Sequence, residues 1–476
     1  MEALNKIVGS INSSTNTAEA MPAIYFIGIG GIGMSALARY FNAKGCQVSG
    51  YDKTETLLCK QLQAEGIQIH YQDSIALLNK NAVLVVYTPA IPKGHLELAY
   101  YQQNNYVVVK RSDVLGAITN TAFNICIAGT HGKTTTSTMV AHILRHSNFG
   151  CNAFLGGIAT NYNSNFWSNP KNVCVVEADE YDRSFLKLSP DIAIITSMDA
   201  DHLDIYGTAE NVEQAFIDFS AKVKQGGWLI SKYGLPRSAD LISAMHITYH
   251  ASNDKASVYA SNIKMINGTY QFDVCTNNKS WQISNVVLNM GGMHNVENVV
   301  AAITVAHHAG ISHDKIKAAV ADFKGVKRRF EYIIAPSIDE NAVLQIDDYA
   351  HHPQELRKLI DGAKNLFPTK KCTLIFQPHL YSRTQDFAVD FAQVLDKADE
   401  IILLHIYPAR ELPIPGVNSE MIMGLMKNKQ VKVLSKEEVV AEIKSNKKSM
   451  IITAGAGDID LLVQPIKQAV SNSVEQ

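Results

Sequence analysis

The chain has 476 residues, and at about 150 residues per domain this length predicts three domains. Lys and Arg total 43 against 45 for Asp and Glu, so the charge balance indicates neither a nucleic-acid partner nor binding to an anionic membrane. The seven cysteines are scattered and never form C-x-x-C, which favours reduced thiols in a cytoplasmic protein over disulfides or zinc. No segment approaches the roughly 18 apolar residues of a membrane span.

Residues 1–21 have neither a basic start nor a long apolar core, and we expect a flexible lead-in there. The next segment, "AIYFIGIGGIGMSALARYF", joins an apolar strand to an amphipathic helix through Gly28, Gly30 and Gly33. This G-x-G-x-x-G pattern predicts a turn that holds a diphosphate at a helix start. Asp52 follows about 20 residues later, where an acid either meets a ribose hydroxyl or caps the next turn.

Alternating apolar runs and helical patterns predict an α/β fold with three domains. Residues 22–118 are expected to form a Rossmann-like domain. Residues 119–327 are expected to form a central mononucleotide-binding domain with a parallel sheet. Between about residues 247 and 289, polar and aromatic residues alternate around "NG" and "NN" turns, which indicates an antiparallel addition to that domain. Residues 328–476 read as a second Rossmann-like domain.

The segment "AGTHGKTTT" predicts a phosphate loop for ATP, although Ile127 stands where the strict pattern has its first glycine. Gly129 and Gly132 let backbone N–H groups face inward at a helix start. Lys133 can then reach the β- and γ-phosphates, and Thr134 offers a hydroxyl to Mg²⁺. The alternative is a Thr-rich helix start with a solvated lysine, but strand, loop and helix follow in the required order.

Acidic residues end the next two apolar runs. Glu177 ends "NVCVVE", with Asp179 and Glu180 behind it, and the run "DIAIITSMDADH" ends in Asp199, Asp201 and His202. Any one of these could cap a loop. Two such strand ends beside a phosphate loop instead favour a metal or phosphate site.

Several motifs together resemble the Mur ligases, from about residue 22 to residue 460. In chain order they are "FIGIGGIGMS", "GTHGKTTT", "EADEYDRSFLKLSPDIAIITSMDADHLDIYG", "MHNVENVVAA", "VKRRFEY", "DDYAHHPQE", "FQPHLYSRT", "IYPARE" and "GAGD". The resemblance implies that ATP phosphorylates the lactyl carboxylate of UDP-N-acetylmuramate and that the amine of L-alanine attacks the acyl phosphate. It implies Mg²⁺, with Mn²⁺ as an alternative. It also implies that the N-terminal glycine turn binds a UDP-sugar instead of NAD.

The resemblance assigns residues to four groups. The residues expected to be catalytic are Lys133, Glu177, His202, His351 and Arg383. The residues expected to bind ATP are Gly129, Thr130, His131, Gly132, Lys133, Thr134, Thr135, Asn295, Asn298, Arg329 and Asp348. The residues expected to bind the UDP-sugar are Gly28, Gly30, Gly31, Gly33, Met34 and Asp52. Tyr349, His351 and Arg383 are expected to form the amino-acid pocket, and Thr134, Glu177 and His202 are expected to hold metal.

Plainer roles remain open for some of these residues. His202 has the alternative of a polar core histidine, although its place after "DAD" at a strand end favours the site. Asn298 has the alternative of an N-cap with a polar outer helix face, and one of Arg328 and Arg329 has that of a solvated linker residue. The chain departs from the family pattern at Leu380 and Gln385, where relatives often carry Arg, and at His405, where an Asp is common. Both losses of Arg weaken the expected clamp on the carboxylate of alanine.

Three rival functions are compatible with parts of the sequence. A sister ligase that attaches a recycled muropeptide tripeptide shares most of the motifs. An NAD-dependent oxidoreductase explains the glycine turn but not the phosphate loop, and a P-loop ATPase that moves a partner protein needs no small acceptor. The sequence leaves monomer and homodimer open, and it suggests hinges at residues 112–121 and 324–332.

Overall fold

The computed structural model describes residues 2–13, 22–92, 94–266, 268–337, 339, 341–409 and 411–472. The chain forms two compact units. The first comprises residues 1–260, 274–283 and 297–320, and the second comprises residues 261–273, 284–296 and 321–476. Three sheets, all dominated by parallel pairs, alternate with helices and confirm the predicted α/β fold. Among the described helices, none combines the length and hydrophobicity that a bilayer crossing requires.

The first sheet has five parallel strands. They are β1 (Ala23–Ile27), β2 (Gln47–Tyr51), β3 (Gln68–His70), β4 (Ala82–Tyr87) and β5 (Val108–Lys110). Its helices are α1 (Glu2–Ser13), α2 (Ile32–Ala43), α3 (Leu57–Ala64), α4 (Leu96–Gln103) and α5 (Arg111–Thr119). The strand order β3-β2-β1-β4-β5 reverses beside β1, so the glycine turn that follows β1 lies at the switch point, where α/β sheets bind ligands.

The N-terminal segment differs from the expected flexible lead-in. Residues 2–13 form helix α1, and Leu4, Val8 and Ile11 on one of its faces are buried in the core. The expectation for residues 1–21 is therefore wrong for this part, while residues 14–21 lie outside the described residues. Helix α1 packs against α5, which is buried over residues 114–119, so the hinge expected at residues 112–121 falls largely on a packed helix and stays a prediction.

The second sheet has ten strands. They are β6 (Phe123–Ala128), β7 (Asn152–Ala159), β8 (Ser164–Trp167), β9 (Val173–Glu177), β10 (Ile192–Ile195), β11 (Trp228–Lys232), β12 (His246–His250), β13 (Val258–Ile266), β14 (Thr269–Thr276) and β15 (Gln282–Leu288). The order is β15-β14-β13-β12-β11-β10-β6-β9-β7-β8. Its α-helices are α6 (Lys133–His146), α7 (Leu203–Tyr206), α8 (Ala209–Ser220), α9 (Met293–His308) and α10 (His313–Asp322).

The parallel part of this sheet extends further than the sequence pattern suggested. Strand β12 pairs in parallel with β11, and β13 pairs in parallel with β12, although the change in texture begins near residue 247. The antiparallel addition is the β13-β14-β15 meander, whose short connections reverse the chain. At the opposite edge of the sheet, β7 and β8 form a further antiparallel pair.

Within the first unit, a buried arginine connects the first sheet to the second through hydrogen bonds. Arg39 on α2 is 7% exposed, and its guanidinium donates to Glu65 at 2.7 and 2.8 Å and to Asn165 Oδ1 at 2.5 Å. The Asn165 amide, on β8, in turn donates to Ile32 O at 2.6 Å. This network sets the start of α2, and with it the glycine turn, in a fixed position on the central sheet.

The third sheet has six strands. They are β16 (Glu331–Ile334), β17 (Leu344–Asp348), β18 (Cys372–Phe376), β19 (Glu400–Leu403), β20 (Val431–Val433) and β21 (Met450–Ala454). The order is β16-β17-β21-β18-β19-β20, with only β16 antiparallel to its neighbour. Its helices are α11 (Pro353–Leu366), α12 (Tyr381–Asp386), α13 (Ala388–Leu395), α14 (Ser419–Leu425), α15 (Lys436–Ser445) and α16 (Val463–Asn472). Within the described residues, the 3₁₀ helices are Tyr181–Lys187, Ser238–Asp240 and Asp458–Leu462.

Candidate active site

The predicted phosphate loop connects β6 to α6. Gly132 is the residue before the helix and has φ of 82°, and Gly129 has φ of 139°, a conformation that L side chains rarely adopt. A Cβ at Gly129 would lie 2.0 Å from Thr196 Oγ1, so the loop also needs glycine for space. Thr130, Thr134 and Thr135 are all buried. The strand, the glycine loop and the helix start therefore follow one another in the order that phosphate binding requires.

The end of β10 holds this loop in place. Thr130 Oγ1 lies 2.9 Å from Ser197 Oγ, and the His131 N–H donates to the same hydroxyl at 2.7 Å. Thr196 Oγ1 donates to Ala128 O and His131 O at 3.1 and 2.5 Å. Sequence reasoning gave these two hydroxyl residues no role. The sequence feature that could have identified them is the polar pair "TS", which directly follows the apolar run "IAII".

Lys133 is held by a buried carboxylate. Its Nζ donates to Gly129 O at 2.6 Å and pairs with Glu180 Oε2 at 2.6 Å. Glu180 is 2% exposed, and its backbone carbonyl accepts from the Tyr206 hydroxyl at 2.6 Å. Burial raises the pKa of Glu180, and the Lys133 ammonium opposes that shift. The lysine ammonium therefore lies against its own loop and is paired with the Glu180 carboxylate. The sequence pattern alone gave Glu180 no specific partner.

Glu177 and Thr134 come together as predicted. Glu177 ends β9, and its Oε1 accepts from the Thr134 hydroxyl at 2.9 Å. Its Oε2 accepts from the Gly156 N–H of β7 at 2.9 Å. A Cβ at Gly156 would lie 2.3 Å from Glu177 Oε1, so only glycine leaves the carboxylate in this position. The hydroxyl and the carboxylate form an oxygen pair of the kind that Mg²⁺ prefers.

His202 lies in a different group of acids from the one expected. Its Nε2 is 3.7 Å from Glu180 Oε1 and 3.9 Å from Asp201 Oδ2. These three residues offer ligand atoms that all lie within 4.8 Å of one another. His202 itself has φ of 51° at the start of α7. The structure therefore brings His202 to Glu180 beside Lys133, and its pairing with Glu177 on a metal stays a prediction.

The N-terminal glycine turn is organised by Tyr51, the last residue of β2, and by Asp52, which follows it. Gly28 N and Ile29 N donate to Tyr51 O at 2.8 and 3.0 Å. Asp52 Oδ2 accepts from Gly30 N at 2.8 Å, and its Oδ1 accepts from Thr54 N at 3.1 Å. Of the two roles weighed for Asp52, the structure thus shows the capping role. The ribose contact stays a prediction.

The start of α2 is more crowded than the pattern implied. A Cβ at Gly30 would lie 2.5 Å from Cys59 Sγ, and one at Gly33 would lie 2.8 Å from Arg111 Nη1. Met34 is 2% exposed and belongs to the core, so its side chain offers little surface to a ligand, and its contact with the UDP-sugar stays a prediction. Gly31 is the extended residue before the helix, and its N–H donates to Gly28 O at 3.2 Å.

The two asparagines of α9 have separate surroundings. Asn298 lies against the phosphate loop, because its Oδ1 is 2.9 Å from the position of a Cβ at Gly132. Asn295 is 1% exposed, and its amide donates to Gly291 O at 2.6 Å in the turn before the helix. Recognition of adenine by these amides stays a prediction.

In the second unit, the Arg328 side chain has a structural role. Its guanidinium donates to Gly455 O and, at 3.4 Å, to Gly457 O, and its Nε lies 3.3 Å from Asp347 Oδ2. Arg329, which the resemblance assigns to ATP, lies close enough to Asp348 to oppose the rise in that group's pKa. The solvated linker role is therefore wrong for Arg328.

Asp348 organises the turn after β17. Its carboxylate accepts from Phe330 N at 2.6 Å and from Ala350 N at 2.8 Å. Burial raises the pKa of Asp348 to about 6, and burial raises that of the neighbouring Asp347 to about 7. Both carboxylate oxygens of Asp348 thus accept hydrogen bonds from backbone N–H groups. Contact between Asp348 and ATP stays a prediction.

The pKa of Asp347 predicts a pH dependence of stability. Because the folded value of about 7 lies above the unfolded value, its stabilising contribution is present below about pH 4 and is lost as the pH rises through 7. We expect thermal unfolding of Asp347→Asn to depend less on pH between 5 and 8 than that of the wild type. Calorimetry over this range, with Asp390→Asn on the exposed face as the control, measures it. Parallel pH profiles for wild type and variant would contradict the assignment.

Tyr349, His351 and Arg383 also come together as predicted, and His379 joins them. The Tyr349 and His351 rings lie 5.3 Å apart, the His351 and His379 rings lie 6.1 Å apart, and Arg383 Nη1 is 3.2 Å from His379 Nδ1. His379 was present in the motif "FQPHLYSRT" but received no role from the sequence.

The departures from the family pattern lie mostly at the surface. Gln385 and His405 are exposed, and Leu380 has φ of 70° before α12. Nothing in the structure explains the change at His405.

A phosphate loop beside carboxylates at the ends of parallel strands defines a nucleotide-binding α/β enzyme. Models of three Mur ligase domains match the chain: the family's catalytic domain over residues 23–122, the middle domain over residues 127–306 and the glutamate ligase domain over residues 328–457. The chain belongs to the Mur ligase family, which confirms the resemblance seen in the sequence.

Named relatives cover nearly the whole chain. The UDP-N-acetylmuramate–L-alanine ligase of Cytophaga hutchinsonii is 47% identical over 454 residues, which cover 94% of this chain and 96% of the relative. The solved UDP-N-acetylmuramate–alanine ligase of Thermotoga maritima is 27% identical, covers 95% of this chain and 99% of its own, and has a TM-score of 0.78. A murein peptide ligase of Psychrobacter arcticus, at 24% identity over 95% of this chain and 99% of its own, has a TM-score of 0.65 and so shares the fold.

Proposed function

We propose that the enzyme forms an amide between the lactyl carboxylate of UDP-N-acetylmuramate and the amine of L-alanine. ATP first phosphorylates the carboxylate, and the amine then displaces phosphate from the acyl phosphate, so that ADP and phosphate are released. The observation that carries the proposal is the phosphate loop, in which Lys133 contacts Gly129 O and Thr134 donates to Glu177, in a chain 47% identical to a ligase of that name.

This chemistry requires alignment and neutralisation of charge more than a nucleophilic side chain. We assign Lys133 to the oxygens of the transferred phosphoryl group. The oxygen pair of Thr134 and Glu177 would hold one Mg²⁺, and Glu177 with His202 would hold a second, where the imidazole would also admit Mn²⁺. When bound, the ion supplies neutralisation of the negative charge on the phosphate oxygens.

In this proposal, each of the three predicted domains binds one reactant. Residues 22–118 would bind the UDP part of the sugar nucleotide, residues 119–327 would bind ATP, and residues 328–476 would bind alanine. Since ATP and nucleotide-activated sugars are made in the cytoplasm, we propose that compartment for the reaction.

The test is phosphate release from Mg·ATP and UDP-N-acetylmuramate with three acceptors: L-alanine, a muropeptide tripeptide and none. Release that depends on L-alanine supports the proposal. Release with the tripeptide alone would mean the recycling ligase, and release without an acceptor would mean a partner-driven ATPase.

Asp52 should act on UDP-sugar affinity through the glycine turn. Asp52→Ala removes the acceptor for the Gly30 and Thr54 N–H groups, and we expect about a tenfold weaker affinity for UDP-N-acetylmuramate in titration calorimetry. Asp52→Asn keeps an acceptor oxygen and should lose less. Glu55→Ala, at an exposed neighbour, is the matched control. Equal affinity of the Ala variant and the wild type would show that the turn keeps its shape without this carboxylate.

A further inference from the structure

Two histidines of the first unit lie together where α9 is followed by α10. His307 is in the last turn of α9, and His313 is the first residue of α10. His307 Nδ1 lies 3.2 Å from His313 Nε2, and both residues are half-buried. The pair is outside the residues that the family resemblance assigns to substrates, to ATP or to metal. The proposed reaction therefore gives it no role.

The backbone between the two helices fixes the spacing of this pair. Ile311 N donates to Ala306 O at 3.1 Å, and Gly310 N donates to His307 O at 2.9 Å. These two bonds, with φ of 78° at Gly310, are the pattern of a helix that ends on a left-handed glycine. Ile311 is buried and anchors the turn in the core. The two histidines are therefore brought together by an ordered helix end and not by a free loop.

An indole ring sets the orientation of one imidazole. Trp281, the residue before β15, stacks on His307 with ring centroids 4.2 Å apart and ring planes 23° apart. The His313 ring lies 6.1 Å from the same indole. Stacking occupies a face of the imidazole, whereas the lone pairs of its nitrogens lie in the ring plane. The edge that faces His313 therefore remains able to bind.

The facing nitrogens can both act as ligand atoms. Burial lowers the pKa of His307, and the neighbouring His308 and His313 act in the same direction, so the ring is neutral at neutral pH. A neutral imidazole has one N–H group and one lone pair. When both rings are neutral, one facing nitrogen donates to the other. If that proton moves to the second nitrogen of its own ring, two lone pairs face each other across 3.2 Å.

This spacing matches two ligands of one metal ion. At a metal–nitrogen distance of about 2.0–2.1 Å, nitrogens 3.2 Å apart subtend an angle of about 100° at the ion, close to the tetrahedral angle. Imidazole suits late transition metals, whereas Mg²⁺ prefers oxygen ligands. The pair is therefore selective against the cation that accompanies ATP.

We infer that His307 Nδ1 and His313 Nε2 form a binding site for a late divalent transition-metal ion, such as Zn²⁺, which joins the end of α9 to the start of α10. Water molecules complete the coordination of the ion. His308 is not a ligand, because its Nδ1 lies 2.8 Å from Thr304 O and its ring packs on Trp228 with centroids 4.7 Å apart. The inference does not rest on the proposed function.

The first test is titration calorimetry of the full-length enzyme with ZnCl₂ in a large excess of Mg²⁺. The excess Mg²⁺ competes for the group of Glu180, Asp201 and His202, in which two of the three ligands are carboxylates, but not for a pair of imidazoles. We expect the wild type to bind one Zn²⁺ that His307→Asn and His313→Gln each fail to bind. Each amide nitrogen takes the approximate position of the lost ring nitrogen, so the contact within the pair is kept while a ligand is removed.

The matched control is His308→Asn, one residue away on the same helix. It should bind Zn²⁺ as the wild type does. Equal Zn²⁺ stoichiometry in the wild type and in both pair variants would overturn the proposal and leave a hydrogen-bonded pair of histidines only. An equal loss in His308→Asn would overturn the assignment of the two ligands.

The second test locates the ion without changing either ligand. Cu²⁺ binds imidazole more tightly than Zn²⁺ does, and it quenches the fluorescence of an indole close to it. The chain has three tryptophans, and Trp281 is the one stacked on a ligand. In excess Mg²⁺, we expect Cu²⁺ to remove a part of the wild-type emission that Trp281→Phe, which keeps a ring for stacking, does not lose. Equal quenching in the two proteins would place the ion elsewhere and contradict the proposal.

Discussion

Lys133→Met should lower kcat by about a thousandfold or more, with UDP-sugar affinity almost unchanged. Methionine keeps the length and the apolar stem of lysine but removes the cation at the helix start of the phosphate loop. The glycine turn after β1 is a separate structure, held by Tyr51 and Asp52, so it should bind the UDP-sugar as before. Steady-state phosphate release and titration calorimetry with UDP-N-acetylmuramate measure the two effects.

Glu180, the buried partner of Lys133, affects the interpretation of this variant. A second substitution at Glu180 provides the control. Glu180 is 2% exposed, and without the lysine it remains as an unpaired buried acid. The double variant Lys133→Met with Glu180→Gln removes that charge. We expect it to recover thermal stability relative to the single variant but to stay as inactive. If the double variant regained substantial activity, the single variant's loss would reflect misfolding near Glu180 instead of a missing phosphate contact.

Much of the site was predictable because it is local in sequence. Gly129, Gly132 and Lys133 lie within five residues, and the strand, loop and helix around them follow from hydrophobic pattern alone. The same holds for the turn at Gly28. Glu177 was also predictable, because carboxyl ends of neighbouring parallel strands meet at one edge of a sheet.

The missing parts depend on contacts between distant segments. Thr196 and Ser197 support the phosphate loop only because β10 pairs with β6, and Glu180 reaches Lys133 only once the chain after β9 has turned back. No periodicity in the sequence encodes such pairings. Helix α1 was missed for a related reason, since its amphipathic face needs α5 as a partner before helix is the favoured state.

The tautomers of His351 and His379 illustrate a further limit. Both residues stand in recognisable motifs, but the motif does not state which ring nitrogen carries the proton. That depends on whether the nearest atom is a carbonyl, a carboxylate or a guanidinium. The acid–base chemistry of this pocket therefore becomes visible only in three dimensions.

Gly156→Ala should lower kcat by about a thousandfold, although Gly156 carries no functional group. The added Cβ would lie 2.3 Å from Glu177 Oε1 and 2.5 Å from its carboxyl carbon, so the carboxylate must leave Thr134. Backbone strain does not account for the effect, because Gly156 is not among the residues with positive φ. Gly424→Ala on α14 is the matched control, since no atom lies within 4 Å of its Cβ position and alanine favours a helix.

The dependence of the Gly156→Ala rate on metal identifies the cause. If the carboxylate holds Mg²⁺, the variant should need a much higher concentration of free Mg²⁺ for half-maximal phosphate release, and its UDP-sugar affinity should stay as in the wild type. An activity loss with an unchanged Mg²⁺ requirement would mean that Glu177 aligns the phosphate loop through Thr134 without binding metal. Full activity would show that β7 moves to accept the methyl group, and then the close approach of Gly156 to Glu177 is not required for catalysis.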